Sequence, residues 1–377
     1  MRRYITCWTA LATLLIAPAA AAWDLSGDFR THLYTENWRD TRDGLSESSS
    51  QSGARIRFRL RQDFSDQCRF QTRLAATVAD DDNDFDAYLR AHRDSGTGVN
   101  PGTATLDEFF VRCSIGDGAS EWRLGRMQSN LDSIQMATRS FDRSQASALN
   151  IGWTDAIAYR RNFDNGWYSE ALLQYNGREG NGQTFRGPIS FDDGDARIGF
   201  FGVVGSDTEV GPVLMRALSL TVYPDALAPA GTASAERDDY VMIAFKLGAG
   251  WDLDAAGRRL IAIGEIAHAP NTPLKSTLGL PGTGDSDGWG WQLGADIEDI
   301  FPRNTVGINY GQSDGGMLIS NDFRQNNELF EFRWQYQATS ALRFEFRYRW
   351  RRELERRIGA SQVQRDRDVR LRATYRF

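Results

Sequence analysis

The sequence lacks long apolar runs beyond its first residues. No segment after Trp23 approaches the roughly 18 consecutive apolar residues that a membrane-spanning helix needs. Lysine is almost absent, since Lys246 and Lys275 are the only two, and arginine therefore carries nearly all the positive charge. The chain is net acidic at −6, which argues against nucleic-acid binding. Its mean hydropathy of −0.49 would by itself suggest a soluble protein.

Cysteine and histidine are also scarce, which limits the chemistry that the chain can perform. The three cysteines have neither zinc-binding nor thiol-redox spacing, so neither a metal nor another cofactor is implied. The three histidines are His32, His92 and His268, and none has a nucleophile at a recognisable spacing. The sequence therefore predicts that the protein is not an enzyme.

The first 22 residues have the make-up of a secretory signal peptide. Arg2 and Arg3 precede a short apolar stretch, and small residues lead up to Ala22. Cleavage after Ala22 would leave a single domain, 23–377, and would remove Cys7. The loss of Arg2 and Arg3 would make the net charge of the chain more negative by two. An oxidising compartment would then allow a disulfide between Cys68 and Cys113; two separate apolar thiols are the alternative.

The remaining chain has a hydrophobic period of two. In 343–351, apolar residues such as Phe344 and Phe346 alternate with charged ones such as Arg347. The segments 55–64 and 369–377 repeat this pattern. Successive strand side chains point to opposite faces, so each segment has one apolar and one charged face. A soluble sandwich would also need to explain a dozen hairpins with charged inner faces.

Sixteen such segments are separated by connections that alternate between short and long. Transmembrane barrels have an even number of antiparallel strands, short periplasmic turns and long extracellular loops. The sequence therefore predicts an all-β transmembrane barrel. The predicted strands are 24–35, 54–64, 68–78, 106–115, 120–127, 150–163, 167–176, 195–205, 213–223, 238–249, 258–268, 288–297, 303–312, 327–337, 342–351 and 366–377.

Arginines crowd onto the predicted inner face of the first three and last three strands. Barrel closure would join these strands into one wall of an aqueous channel. Guanidinium groups suit carboxylate and phosphate, which favours anions; ion pairs that only support the lumen are the alternative. The predicted pore-lining arginines are Arg30, Arg55, Arg57, Arg59, Arg61, Arg69, Arg73, Arg333, Arg343, Arg347, Arg349, Arg370 and Arg372.

The third long connection, 128–149, is the candidate for a constriction. Its charged residues Asp132, Arg139, Asp142 and Arg143 are mixed with more apolar residues than an external loop requires. Folding into the lumen would bury those apolar residues, whereas packing against other external loops is the alternative.

The acidic run 80–86 resembles the start of a calcium-binding loop, but it lacks the required glycine and glutamate. A solvated loop is the better interpretation of that run.

These features resemble the bacterial outer-membrane porin superfamily: sixteen strands, a signal peptide, the terminal Phe377 and the third loop. The resemblance implies a third loop that sets the pore size, a homotrimer, and insertion by the barrel-assembly machinery. The layout of 124–126, 139–143 and 152–159 is similar to the phosphate-selective porin branch, which has an arginine ladder. The sequence lacks that branch's lysine cluster and the Pro-Glu-Phe-x-Gly signature of general porins.

We therefore expect a porin of the Gram-negative outer membrane, surrounded by lipid and lipopolysaccharide. It would pass small hydrophilic solutes, with a bias toward anions such as phosphate or carboxylates. The alternatives are a barrel enzyme of the protease or lipase type, and a plugged structural or adhesin barrel. The sequence does not specify the natural solute or any gating.

Overall fold

The structure is a computed structural model whose described residues are 23–81, 84–86, 104–116, 118–128, 134–137, 139–142, 153–175, 198–227, 238–255, 257–319 and 323–377. The predicted signal peptide 1–22, His92, and Asp132 and Arg143 of the third loop lie outside these residues. Within these ranges, no helix is long and apolar enough to cross a membrane.

The described residues form one antiparallel sheet that closes on itself. The first strand pairs along its length with the last, Phe29 opposite Tyr375, and on its other side with the second, Phe29 opposite Ile56. The closed sixteen-strand barrel confirms the predicted fold. The strands are β1 Asp24–Asp40, β2 Ser46–Asp63, β3 Cys68–Asp81, β5 Ala104–Ile115, β6 Ser120–Met127, β7 Thr154–Asn162, β8 Trp167–Tyr175, β9 Ile198–Ser206, β10 Val213–Leu227, β11 Asp238–Asp252, β12 Arg259–His268, β13 Trp289–Phe301, β14 Asn304–Ser313, β15 Asn327–Gln337, β16 Leu342–Glu353 and β17 Arg365–Arg376.

One further strand, β4 (Asp84–Asp86), has three residues and pairs only with the end of β3. It lies in the second long connection and takes no part in closing the barrel, because β3 continues its pairing with β5.

The barrel has its polar residues inside and its apolar residues outside. On β16, Glu345, Arg347 and Arg351 are buried, whereas Phe344 is exposed to the surroundings. Because alternate residues share a face, this places charge in the interior and aromatic rings on the outer surface. A soluble protein has the opposite arrangement.

Short turns connect the strands at one end of the barrel, called here the short-turn end. The opposite, long-loop end carries the longer connections. Gly166 belongs to a short turn between β7 and β8 and has a positive φ of 76°. A Cβ at this position would lie 2.0 Å from Thr208 Oγ1, so the turn requires glycine.

The first long connection is shorter than the sequence pattern indicates. We expected a loop over 36–53, but β1 and β2 continue as a paired hairpin to Asp40 and Ser46, leaving 41–45 as the turn. The serine-rich stretch 48–50 has no apolar face, so its pattern does not reveal a strand. Backbone pairing alone forms this extension, because both faces are exposed at Ser48 to Ser50.

Candidate channel wall and constriction

Barrel closure brings the predicted pore-lining arginines into one wall. The wall consists of β15, β16, β17, β1, β2 and β3, which are consecutive neighbours in the sheet. Every arginine predicted to line the pore lies on one of these six strands, on the face opposite the apolar surface. We call these inward-facing residues the arginine wall.

At one side of the arginine wall, a β-bulge supplies two carboxylates. The pairing of β3 with β5 shifts between Arg73 and Leu74, so that Asp107 and Glu108 both face inward and are buried. Arg73 donates to both oxygens of Asp107 at 2.8 and 2.7 Å. Arg57 also contacts Asp107, at 3.2 Å. Glu108 accepts in the same way from Arg59 and Arg73. Each of the two carboxylates therefore holds two guanidiniums.

Glu345 on β16 organises the other side of the wall. It accepts from Arg370 at 2.8 Å and Arg372 at 2.5 Å, and Arg333 lies 3.4 Å away. Asp368 on β17 likewise pairs with Arg347 and, at 2.5 Å, with Arg349. These acids hold the long arginine side chains against the wall and reduce their mutual repulsion.

The remaining arginines of the wall lie near its edges or between these two groups of acidic residues. Arg55 contacts Asp28 at 3.0 Å, whereas Arg61 donates to Gln71 and Arg69 pairs with Asp63 toward the short-turn end. Arg30 faces Arg55 across the β1–β2 pair, and Arg343 lies 3.4 Å from Gln335.

The arginine wall combines the two interpretations left open by the sequence. The arginines are held in ion pairs, yet most of the inward carboxylates serve two or three of them. The thirteen arginines of the wall outnumber the eight carboxylates of the described residues that pair with them on these strands and β5, which are Asp24, Asp28, Asp63, Asp107, Glu108, Glu331, Glu345 and Asp368. The wall therefore keeps an excess of positive charge.

The third loop contacts the inner surface of the barrel at several strands. The amide of Met136 donates to Asp296 on β13, and Arg139 pairs with Glu331 on β15. Phe141 lies against Gly290, where a Cβ would be 2.6 Å from its ring. The described parts of this loop, 134–137 and 139–142, thus lie inside the barrel and span from β10 to β15.

A buried polar cluster, which sequence reasoning missed, anchors the end of this segment. Lys246 on β11 contacts Asp142 at 2.9 Å, and Ser219 on β10 donates to the same carboxylate at 2.9 Å. Glu265 on β12 accepts from the Phe141 amide and the Ser140 hydroxyl, both at 3.0 Å. A lysine and a glutamate on otherwise apolar strands were the signal that could have revealed this cluster.

Apolar residues fill the interior at the long-loop end, on the side that faces the arginine wall. Leu278 and Leu280 from the sixth long connection and Met317 from the seventh pack with residues of β11 such as Tyr240 and Met242. Phe323 stacks on Phe141 of the third loop, with ring centroids 4.4 Å apart. At the long-loop end, this packing leaves the arginine wall as the polar side of the interior.

Cys68 and Cys113 lie directly opposite each other on β3 and β5, near the short-turn end. Their Cα atoms are 4.2 Å apart and their sulfurs are joined in a disulfide. His32 lies within the arginine wall and His268 stacks on Trp289 at 4.1 Å. Across the described chain, no group of histidine, cysteine, aspartate or glutamate is arranged to hold a metal ion.

Solved structures with the same barrel fold extend over nearly the whole chain. OprB of Pseudomonas putida is 10% identical, with a TM-score of 0.60, and the match covers 98% of this chain and 97% of that one. The outer-membrane channel DcaP of Acinetobacter baumannii is 12% identical, with a TM-score of 0.57 over 96% and 99%. An anion-selective porin from Comamonas acidovorans is 13% identical, with a TM-score of 0.55 over 95% and 100%.

At these identities the similarity establishes the fold, which is that of outer-membrane porins. The sequence matches no protein-family model and no curated protein significantly.

Proposed function

We propose that the protein is a channel of the Gram-negative outer membrane that lets small hydrophilic solutes diffuse passively and favours anions. The observation that carries this proposal is the arginine wall, in which most buried carboxylates each hold two or three guanidiniums. These arginines outnumber the carboxylates that pair with them, so a net positive charge faces the interior. The porin fold and the apolar outer surface support the placement in a membrane.

The physical basis of the anion preference is the confinement of fixed charges. Guanidiniums remain protonated at any working pH, so the wall keeps its charge. A narrow lumen with low-dielectric walls focuses the field of these charges and raises the local concentration of counter-ions. The third loop would set the width, because it reaches from the Lys246 cluster to Glu331 in the arginine wall.

The orientation follows from the connections. The short-turn end would face the periplasm and the long-loop end the exterior, as in other transmembrane barrels. Residues 1–22 would direct export, and the terminal Phe377 would be read by the barrel-assembly machinery. A homotrimer in lipid and lipopolysaccharide would be the membrane form.

A barrel closed by its own loops is the second candidate. The observation in its favour is the apolar packing of Leu278, Leu280, Met317 and Phe323 against Phe141 inside the long-loop end. Such a barrel would serve as a structural protein or an adhesin and would not conduct ions.

Planar-bilayer recordings test both candidates. A channel gives stable openings, and its reversal potential in a potassium chloride gradient would show chloride passing more easily than potassium. A variant with Arg57→Gln, Arg59→Gln and Arg347→Gln should lose most of this preference. High salt should also weaken it, because the Debye length falls from about 30 Å at 0.01 M to about 3 Å at 1 M.

The matched control removes three arginines from exposed connections, with Arg258→Gln, Arg303→Gln and Arg356→Gln. This control should retain the wild-type reversal potential. An absence of openings would favour the closed barrel. Unchanged selectivity in the wall variant would mean that these arginines serve only as structural ion pairs.

A further inference from the structure

A cavity of about 310 Å³ lies at the long-loop end, next to the arginine wall. It is formed by the first, seventh and eighth long connections together with the ends of β15 and β16. This volume is within the range of small-molecule sites. Its lining residues are Arg42, Arg324, Gln325, Asn327, Glu353, Arg357 and Gln364.

The guanidiniums of this cavity are held in place by two carboxylates. Glu353 Oε1 accepts from Arg42 at 2.6 Å and from Arg357 at 3.1 Å, and its Oε2 accepts from the Gln364 amide at 2.9 Å. Arg324 pairs with Asp366 at 2.7 Å, and Asp366 also binds Arg39. Three arginines thus line the cavity against one lining carboxylate, Glu353, and the cavity keeps a net positive charge.

Amide groups give the cavity a second chemical character. Gln325, Asn327 and Gln364 line the cavity with side-chain amides. An amide oxygen accepts hydrogen bonds, so these groups can bind a donor on a solute. A plain carboxylate offers none, whereas a hydroxyl group does.

The cavity adjoins the arginine wall along β16. Glu353 is on the same face of β16 as Arg351, Arg349 and Arg347, which follow at alternate positions toward the membrane. Arg357 also links the eighth connection to the sixth, since its guanidinium donates to the Leu278 carbonyl at 2.6 Å. A solute bound here would therefore stand at the entrance to the charged passage.

We propose that this cavity binds a small carboxylate that also carries hydroxyl groups, such as a sugar acid, before it enters the channel. The proposal rests on the proposed anion-favouring channel and specifies its substrate class and entry site. Arg324 and Arg357 would bind the carboxylate, and Gln325 would accept from a hydroxyl. Both requirements are met only when the two groups are on one molecule.

Calorimetry on the full barrel in detergent tests the proposal with four probes: gluconate, butyrate, glucose and inorganic phosphate. Gluconate should bind at least about tenfold more tightly than any of the others. Arg324→Gln and Arg357→Gln should each weaken gluconate about tenfold, which corresponds to the loss of one charge-assisted hydrogen bond. Gln325→Leu should weaken gluconate and leave butyrate unchanged.

Arg356→Gln is the matched control, because Arg356 is exposed, adjacent to Arg357 and outside the cavity. It should bind gluconate as the wild type does. The heat-dependent shift of the folded barrel on gels would verify that each variant is folded. Testing two arginines on different loops keeps the result interpretable if one variant does not fold.

The proposal is overturned if both arginine variants keep the wild-type affinity for gluconate. It also fails if butyrate or inorganic phosphate binds as tightly as gluconate. The reversal potential is measured independently, so a channel that favours anions without gluconate binding would refute the cavity alone. A barrel that binds gluconate but does not conduct would refute the channel.

Discussion

Glu345 shows at the scale of one residue how the interior charges depend on each other. Its two oxygens accept from Arg370, Arg372 and Gln335, and Arg333 is close by. All of these side chains lie on neighbouring strands, so they cannot move apart without breaking the sheet. One carboxylate therefore stabilises several cations that would otherwise repel each other.

We predict that Glu345→Gln lowers the free energy of unfolding by about 3 kcal/mol, because it leaves buried guanidiniums without their counter-charge. The same change should increase the preference for anions, since it adds net positive charge to the wall. Denaturant titration in phospholipid vesicles, followed by tryptophan fluorescence, measures the first effect. Reversal potentials measure the second.

The exposed Glu47 in the first hairpin provides the control. Glu47→Gln should change neither quantity measurably, because an exposed charge is solvated by water. Equal stability of the Glu345 variant and the wild type would contradict the view that the wall is held by its acids.

At the scale of one element, the third loop is fixed by polar contacts at each end of its described part. Asp296 holds the Met136 amide, and Lys246 holds Asp142. Lys246 is buried and is one of only two lysines in the chain. Its ion pair with Asp142 therefore has a specific role in holding the loop inside the barrel.

We predict that Lys246→Met detaches the end of the loop, because Asp142 would remain as a buried charge without a cation, at a cost of about 3 kcal/mol. Single-channel conductance should increase and become noisier. Larger neutral sugars should also pass in a liposome-swelling assay. Lys275→Met, which alters the other lysine, should leave conductance and sugar size limit unchanged.

Wild-type conductance in the Lys246 variant would mean that the loop is held by its other contacts. Asp142→Asn then provides a second variant, which removes the same ion pair from the loop side and keeps the Ser219 contact geometrically possible.

At the scale of the whole molecule, the distribution of polarity is inverted relative to a soluble protein. Ile308, at the centre of β14, is 51% exposed on the outer surface. Leu253, in a short turn, is 49% exposed. The two residues have nearly equal exposure, but only the first should contact lipid hydrocarbon.

We predict that Ile308→Arg destabilises the barrel in vesicles by about 2–4 kcal/mol, the cost of an arginine at the bilayer midplane. Leu253→Arg should be nearly neutral, because its side chain would lie in water. Denaturant titrations of both variants in the same vesicles give the comparison. Equal stabilities would argue that the outer surface does not face lipid.

Strand positions were predictable from the sequence because the signal is local. Side chains alternate between faces within each strand, so 342–351 could be assigned without knowing its neighbours. The prediction was wrong where this signal is missing, as in the first hairpin, whose extension to Asp40 and Ser46 has polar residues on both faces.

The candidate site was predictable only in part. Closure of the barrel made the arginines of the first and last strands neighbours, and simple topology anticipates that arrangement. The bulge that turns both Asp107 and Glu108 inward was not foreseeable, because consecutive strand residues normally point to opposite faces. The partners of the third loop were also missed, since Lys246 and Glu265 lie on apolar strands.

The sequence by itself determined the barrel and its inverted polarity. Alternation is a property of each extended segment, and the apolar faces of all strands need the same nonpolar surroundings. Only the tertiary structure decided which carboxylate holds which arginine, where the third loop docks and where the loops enclose a cavity. These depend on distances between residues such as Arg42, in the first connection, and Glu353, at the end of β16. Such distances are set by sheet closure and loop packing, and no local pattern encodes them.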